Sequence, residues 1–156
     1  MPAVKPIPDG YRAVTPYLIV ANAGAAIEFC KAAFGASERM RLAAPGGKIG
    51  HAELEIGDSV IMLADEHPEF GALGPRTVGG TPVGIMVYLR DVDASVDRAL
   101  GAGAKLLSPI ENKFYGDRMA TIEDPFGHKW HVSTHVEDVP PEEIARRAAA
   151  MHGQSA

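Results

Sequence analysis

Histidine and glutamate side chains occur at alternating positions of two strand-like segments, residues 48–56 and 118–135. The polar residues of these segments that could do chemistry are His51, Glu53, Glu123 and His131. Alternation of polar with apolar residues predicts strands that have one apolar face and one polar face. Carboxylates and imidazoles that share a cavity can shift each other's pKa toward neutrality and transfer protons. Such groups could also supply nitrogen and oxygen donors to a divalent metal.

Turn and cap residues indicate the elements that carry these side chains. In the segment Glu-Asp-Pro-Phe-Gly at 123–127, proline fixes φ and glycine allows positive φ, which predicts a tight turn between two strands. Gly57-Asp58 predicts a second hairpin. Asn22 suits the N-cap of a helix that ends at Gly35. The first half therefore has the order β-α-β-β-β.

The same order of elements recurs in the second half of the chain. Positions 22–25 fall on positions 91–94, an offset of 69 residues. This repeat predicts an α+β fold of two paired βαβββ modules that form a curved, concave, eight-stranded sheet, plus a C-terminal helix. The expected organisation is one domain with two modules, a terminal arm and a tail: domain 11–138, modules 11–65 and 82–136, extended arm 1–10, tail helix 137–156.

Composition excludes some classes of partner. The chain has 156 residues, a net charge of −5 and a pI near 5.6, and it has no basic cluster, which argues against a nucleic-acid surface. It shows no apolar run of about 18 residues and no signal-peptide pattern, so we expect no membrane span and a cytoplasmic location. Cys30 lies in an apolar helical pattern and is expected to fill the core.

A shared concave face with a few polar groups among aromatic ones is typical of a small-molecule site. Candidates for ligand contact are Thr15, Tyr17, Met86, Tyr88, Phe114, Tyr115, Arg118 and Trp130. Arg118 could bind an anion through its planar guanidinium, although a structural pair with Asp117 is the simpler interpretation. The alternation also assigns Trp130 to the helix side. The alternative for the whole face is that its polar residues point to solvent on an open sheet.

Several motifs in order along the chain resemble one known family. They read T-P-Y-L-I-V, A-A-I-E-F-C-K-A-A-F-G-A, G-H-A-E-L-E-I-G-D-S-V-I-M-L, D-V-D-A, F-Y-G-D-R and D-P-F-G-H-K-W. The chain resembles the vicinal-oxygen-chelate superfamily and, within it, the PhnB-like branch of the glyoxalase/bleomycin-resistance/dioxygenase proteins. The resemblance covers residues 11–138 and implies paired βαβββ modules and a homodimer.

Metal-dependent members of that superfamily bind a divalent ion through four side chains, from the first and last strand of each module. Carried over by the resemblance, these positions are Thr15, Gly84, His131 and either Met62 or Ile61. Only His131 is a metal-ligand type, so no cofactor is expected at the inherited position. A relocated divalent metal on His51, Glu53, Glu123 and His131 is the alternative.

Two functions follow as hypotheses. The first is a protein that binds a small molecule, for resistance or sequestration, with a degraded metal site. The second is a lyase, isomerase or dioxygenase-type enzyme that uses a relocated metal or a His/Glu acid-base pair.

Overall fold

The structure, a computed structural model, describes residues 3–153 of the chain. The described residues form eight strands and four α-helices, with short 3-10 turns at Pro45–Gly47 and Pro68–Phe70. The strands are β1 (Tyr17–Val20), β2 (Ser37–Ala43), β3 (Ile49–Ile56), β4 (Ser59–Asp65), β5 (Gly84–Tyr88), β6 (Lys105–Asn112), β7 (Asp117–Glu123) and β8 (Lys129–His135). The helices are α1 (Ala23–Phe34), α2 (Pro75–Val78), α3 (Val92–Gly101) and α4 (Pro141–Gly153).

The strands form two four-stranded sheets of the same topology. Their orders are β1-β4-β3-β2 and β5-β8-β7-β6. The pairs β1–β4 and β5–β8 are parallel, and the other neighbours are antiparallel. The predicted α+β fold of two βαβββ modules with a C-terminal helix is confirmed. Within residues 3–153 no strand pairing joins the two sheets, so the eight strands are divided between two hydrogen-bonded sheets.

Some predicted element boundaries differ from the structure. Alternation in the sequence predicts a first strand at 14–20, whereas β1 begins at Tyr17. Pro109 predicts that the strand starting at Lys105 ends at residue 107, whereas β6 continues to Asn112. Pro109 lies in an irregular part of the β6–β7 ladder, where the register shifts and a residue without an N–H is tolerated. The 65–82 loop contains the single turn α2, and residues 3–10 form no helix or strand. The predicted arm and tail also include residues 1–2 and 154–156, which lie outside the described range.

In each module, the first backbone amide of the long helix is hydrogen-bonded to a side chain from the last strand of the same module. Asp65, at the end of β4, accepts a hydrogen bond from the Ala23 amide at 2.8 Å. Thr134, exactly 69 residues later on β8, accepts one from the Val92 amide at 2.9 Å. The first amides of a helix have no partner within the helix, so these acceptors fix where α1 and α3 start on their sheets.

The two modules share one hydrophobic core. Helices α1 and α3 contact each other, and Ser95 on α3 donates a hydrogen bond to the Ala33 carbonyl on α1 at 2.6 Å. Trp130 on β8 packs on Phe34 of α1 with ring centroids 4.6 Å apart. The helices cover one face of each sheet, which leaves the opposite faces for a binding site.

Candidate functional site

Alternation along β3 separates core residues from residues of the open face. Ala52 and Leu54 are buried against the helices, while His51 and Glu53 lie on the other face of the sheet. On β8, Trp130 belongs to the core and His131 lies on the open face. The open faces of the two sheets therefore carry the four histidines and glutamates with proposed chemistry.

A groove lies between β1 of the first sheet and β5 of the second. Its larger part is a cavity of about 540 Å³, and an adjoining part has about 340 Å³. We call the two parts together the inter-sheet groove. The side chains common to both parts are apolar: Val14, Pro16, Ile85 and Met86. Tyr17 lines the larger part and Tyr88 lines the smaller one.

A hydrogen-bonded network crosses the open face of the first sheet. Glu53 is only 4% exposed, and its carboxylate is bonded to the Tyr11 hydroxyl and, at 2.9 Å, to His51 Nε2. His51 Nδ1 lies 2.9 Å from the Tyr17 hydroxyl. Tyr17 stands on β1 and reaches over β4 to His51 on β3. The network therefore connects a buried carboxylate to a half-exposed tyrosine at the groove.

The electrostatics of this network keep Glu53 charged and both tyrosines protonated. Burial acts to raise the pKa of Glu53, but hydrogen bonds from His51 and Tyr11 outweigh burial and leave that pKa below its usual value. Burial and then the Glu53 charge raise the pKa of Tyr17. The hydrogen bond to Glu53 is the main cause of the raised pKa of Tyr11.

Tyr11 was not among the residues chosen from the sequence. It lies in the chain that precedes β1, and its ring is covered by the Arg39 guanidinium, 4.8 Å from the ring centroid. Arg12 next to it pairs with Asp58 at 2.8 Å, so the segment is fixed over the open face of the first sheet. The signal that could have identified Tyr11 is a lone aromatic residue placed directly after the Pro/Gly-rich arm.

A second network occupies the equivalent face of the other sheet. Tyr88 on β5 reaches over β8 and donates a hydrogen bond to Asp117 on β7 at 2.8 Å. The Asp117 carboxylate is 3% exposed and is also bonded to His135 Nδ1 at 2.8 Å. His135 Nε2 lies 2.8 Å from Asp138. The sequence pattern singled out Tyr88 but not its partners, because the four residues are spread over 50 positions of the chain.

The expected structural pair of Asp117 with Arg118 is wrong. Neighbours on a strand point to opposite faces, so Asp117 is on the open face and Arg118 is on the helix side. Arg118 forms a two-pronged pair with Asp93 of α3, at 2.8 Å for each nitrogen. That pair holds the candidate anion-binding residue away from the groove.

His131 and Glu123 do not join the His51–Glu53 pair. His131 Nδ1 lies 2.9 Å from the Thr121 hydroxyl, and its ring lies over Gly84, where an added Cβ would stand 2.8 Å from His131 Cδ2. Glu123 lies beside Lys129 and the glycines at 79 and 80, in a separate surface pocket. The structure thus brings together one histidine–carboxylate pair of the four candidates.

The positions implied for a family metal do not fit a divalent ion. The His131 ring occupies the space over Gly84, which has no donor atom of its own in its side chain. Of the two alternatives for the fourth position, Ile61 is in the core, and Met62, opposite Glu53, offers only a soft thioether. Thr15 uses its hydroxyl on the Arg12 carbonyl at 3.2 Å. Among residues 3–153 no three histidines, cysteines, aspartates or glutamates are placed to hold a metal ion. The polar side chains on these faces are hydrogen-bonded within the protein.

The remaining candidates lie in different places. Tyr17, Met86 and Tyr88 line the inter-sheet groove, and Thr15 precedes them beside Pro16. Trp130 borders the smaller part of the groove, but it is 1% exposed and donates its indole N–H to Asp124 at 2.9 Å, so most of its ring belongs to the core. Phe114 and Tyr115 stack edge to face at the β6–β7 loop, where Tyr115 lines a pocket beside the start of α4.

His128 closes one end of the groove from the other module. Its Nε2 lies 2.9 Å from the Ile19 carbonyl of β1. Because a carbonyl only accepts hydrogen bonds, Nε2 carries a proton and donates it. This bond joins the turn before β8 to β1, and His128 itself lines the larger cavity. No helix in the described part of the chain is long and apolar enough to cross a membrane.

Comparison with known proteins agrees with the fold. An uncharacterised protein of Mycobacterium bovis is 41% identical over 145 residues, which cover 91% of this chain and 93% of the relative. The crystal structure of TioX from Micromonospora sp. ML1 has a TM-score of 0.63 at 26% identity, covering 80% of this chain and 99% of that one. The fosfomycin resistance protein FosX of Mesorhizobium loti shares the fold alone, with a TM-score of 0.61 at 15% identity and coverage of 86% and 98%. The family model of the Glyoxalase/Bleomycin resistance protein/Dioxygenase superfamily matches residues 12–132, and the chain belongs to that superfamily.

Proposed function

We propose that this protein binds a small organic molecule in the inter-sheet groove. The observation that carries the proposal is an apolar cavity of about 540 Å³ between the sheets, within the size range of ligand pockets. Apolar side chains along it, Val14, Val83 and Met86, are exposed to solvent. Exposed apolar surface of this kind is costly in water unless a ligand or partner covers it.

Resistance or sequestration is the role that this proposal favours. FosX shares the fold and carries fosfomycin resistance in its name, and TioX is a further structural neighbour. The ordered motifs of the sequence support a place in the PhnB-like branch of the superfamily. A binding protein needs an enclosed apolar surface and does not need the metal donors that the family positions lack in this chain.

Thermal shift against a library of small organic compounds tests the proposal. A ligand at a hundred times its dissociation constant stabilises the folded state by about 2.7 kcal/mol. Met86→Arg places a charge in the groove at a half-exposed position and should abolish the shift. Val136→Arg, at a similarly exposed position after β8, is the matched control and should keep it. A library without hits, or hits that survive Met86→Arg, would contradict groove binding.

We further propose a homodimer in the cytoplasm. The exposed apolar residues beside the groove support the assembly, because a second chain could cover those that a ligand leaves open. Sedimentation equilibrium at several concentrations measures the mass. A mass near twice 16.5 kDa is the expected result, and 16.5 kDa at all concentrations would contradict it.

Acid-base catalysis is the second candidate function. The specific observation is the 2.9 Å hydrogen bond between His51 Nε2 and the buried Glu53, since a carboxylate that orients an imidazole is a common feature of general bases. Compounds that bind would be incubated with the wild type and with His51→Ala. Turnover that depends on His51 is expected if the pair is catalytic, and bound compounds that are never converted would contradict it.

A further inference from the structure

The direction of each hydrogen bond in the first network follows from the Glu53 carboxylate. An ionised carboxylate can only accept, so both the Tyr11 hydroxyl and His51 Nε2 donate to Glu53. The tautomer that donates from Nε2 to Glu53 has an acceptor at Nδ1. The Tyr17 hydroxyl, 2.9 Å away, therefore donates its single proton to His51.

In the second network, too, the tyrosine hydroxyl donates its proton to another group of the protein. The Asp117 carboxylate accepts from the Tyr88 hydroxyl and from His135 Nδ1, each at 2.8 Å. The single hydroxyl proton of Tyr88 is therefore used inside the protein. The phenol oxygens of Tyr17 and Tyr88 can offer only lone pairs to a ligand.

Other polar groups around the groove also use their donor hydrogens on partners within the protein. The His128 N–H is used on the Ile19 carbonyl, and the Thr81 hydroxyl bonds within its own loop to Val83. Asp58 adds a carboxylate to the wall of the smaller part and is paired with Arg12 at 2.8 Å, and no lysine or arginine of the described residues lines either part. The groove is therefore apolar, and the polar side chains around it offer hydrogen-bond acceptors in excess.

Resting on the proposed binding function, we infer that the inter-sheet groove selects a ligand that presents a hydrogen-bond donor, a protonated amine above all, on an apolar or aromatic body. Tyr17 and Tyr88 are the residues that recognise the donor. Tyr88 is bonded to the buried Asp117, and Tyr17 is bonded to His51, which contacts the buried Glu53. An ammonium group could lie against a phenol oxygen and against the face of the same ring. A carboxylate ligand would meet unpaired acceptors and would be rejected.

The experiment compares ligands that share one aromatic body. Isothermal titration would measure binding of 2-naphthylmethylamine, its N,N,N-trimethyl derivative and 2-naphthoate to the wild-type protein. The primary amine should bind roughly tenfold more tightly than the carboxylate, because a hydrogen bond to a charged group is among the stronger polar contacts. The trimethyl compound keeps the charge and loses the donor, so it separates hydrogen bonding from general attraction to negative charge.

Tyrosine variants test whether the phenol oxygens of Tyr17 and Tyr88 cause the preference for the amine. Tyr17→Phe and Tyr88→Phe should each reduce the ratio of amine to carboxylate affinity while keeping the aromatic body bound. Tyr115→Phe is the matched control, because its hydroxyl contacts Met119 Sδ and it lines the pocket beside α4 instead. Melting curves of each variant establish that the protein is folded.

The outcomes separate the two proposals. If all three compounds bind the wild type with equal affinity, or if the carboxylate binds best, the inferred preference is wrong and the groove remains a binding site. A preference for the amine that neither tyrosine variant changes would also overturn the inference. If none of the three compounds binds, groove binding of aromatic ligands itself is contradicted.

Discussion

Two fully buried serines differ in one respect, the partner of the hydroxyl. Ser95 donates to the Ala33 carbonyl, whereas Ser133, on the open face of β8 beside Tyr88, has a hydroxyl with no hydrogen-bond partner among residues 3–153. Ser95→Ala should lower the free energy of unfolding by about 1 kcal/mol, and Ser133→Ala should leave it unchanged or raise it by up to about 1 kcal/mol. Urea denaturation measures both variants. Equal destabilisation would show that Ser133 has a partner in solution.

Gly84 makes space for the His131 ring. Because a Cβ at position 84 would stand 2.8 Å from His131 Cδ2, Gly84→Ala should rotate the ring and break its contact with Thr121. We expect a loss of about 1 kcal/mol in unfolding free energy and a shift of the His131 ring resonances in NMR spectra. Gly101→Ala is the control, since nothing lies within 4 Å of its added Cβ and alanine favours helix. Unmoved His131 resonances would contradict this packing.

At the scale of single residues, period-two alternation placed His51 and Glu53 on the same face correctly. The alternation gives no information about which residues His51 and Glu53 contact. Tyr11 approaches Glu53 from a segment without periodicity, 42 residues earlier in the chain. Asp117 pairs with Tyr88 and His135 because of strand order, and strand order is a property of the whole sheet.

At the scale of elements, His135 connects the end of β8 to the segment that leads into α4. Its hydrogen bonds with Asp117 and then Asp138 raise its pKa above the usual 6.5. A raised pKa stabilises the folded state fully below the unfolded value, and that stabilisation is lost as the pH rises through the folded value. Hydrogen exchange of residues 136–147, corrected for its intrinsic rate, should therefore be slower at pH 6 than at pH 8.

The His135→Gln variant should remove this pH dependence. His67→Gln, in the loop before α2, is the control and should keep it. Exchange in the tail that is equally fast at both pH values in the wild type would mean that the His135 contacts do not hold the segment.

Local chemistry explains which elements could be predicted. The β7–β8 hairpin was placed correctly, because Asp124 accepts from the backbone amides of Phe126 and His128 exactly where the Pro-Phe-Gly turn requires it. Asn22 also caps α1 as expected, accepting from the Ala25 amide at 3.1 Å. The length of β6 was missed because a proline within a strand is read as its end, while the bulged ladder around Pro109 permits it.

At the scale of the whole molecule, the modules are joined by helix packing and by a shared core rather than by a continuous sheet. We therefore expect one cooperative unfolding transition, since neither module can expose its helix without breaking the core of the other. Scanning calorimetry tests this through the ratio of calorimetric to van't Hoff enthalpy, which should be close to one. Two resolved transitions would show that each module is stable by itself.

The internal repeat gave the two modules and their order, but it contains no information about how they face each other. The α1–α3 hydrogen bonds and the bond from His128 to Ile19 join residues more than 60 positions apart. Such contacts leave no periodic pattern in the sequence. The groove is formed by this relative placement, so its lining could be predicted only in part.

The position of Trp130 gives the protein an internal optical probe. It is the chain's one tryptophan, and it belongs to the second module while its ring stacks on a phenylalanine of the first. Any motion that separates the modules would admit water to the indole and shift its emission to longer wavelength. Separation of the two halves can therefore be followed in the unlabelled protein.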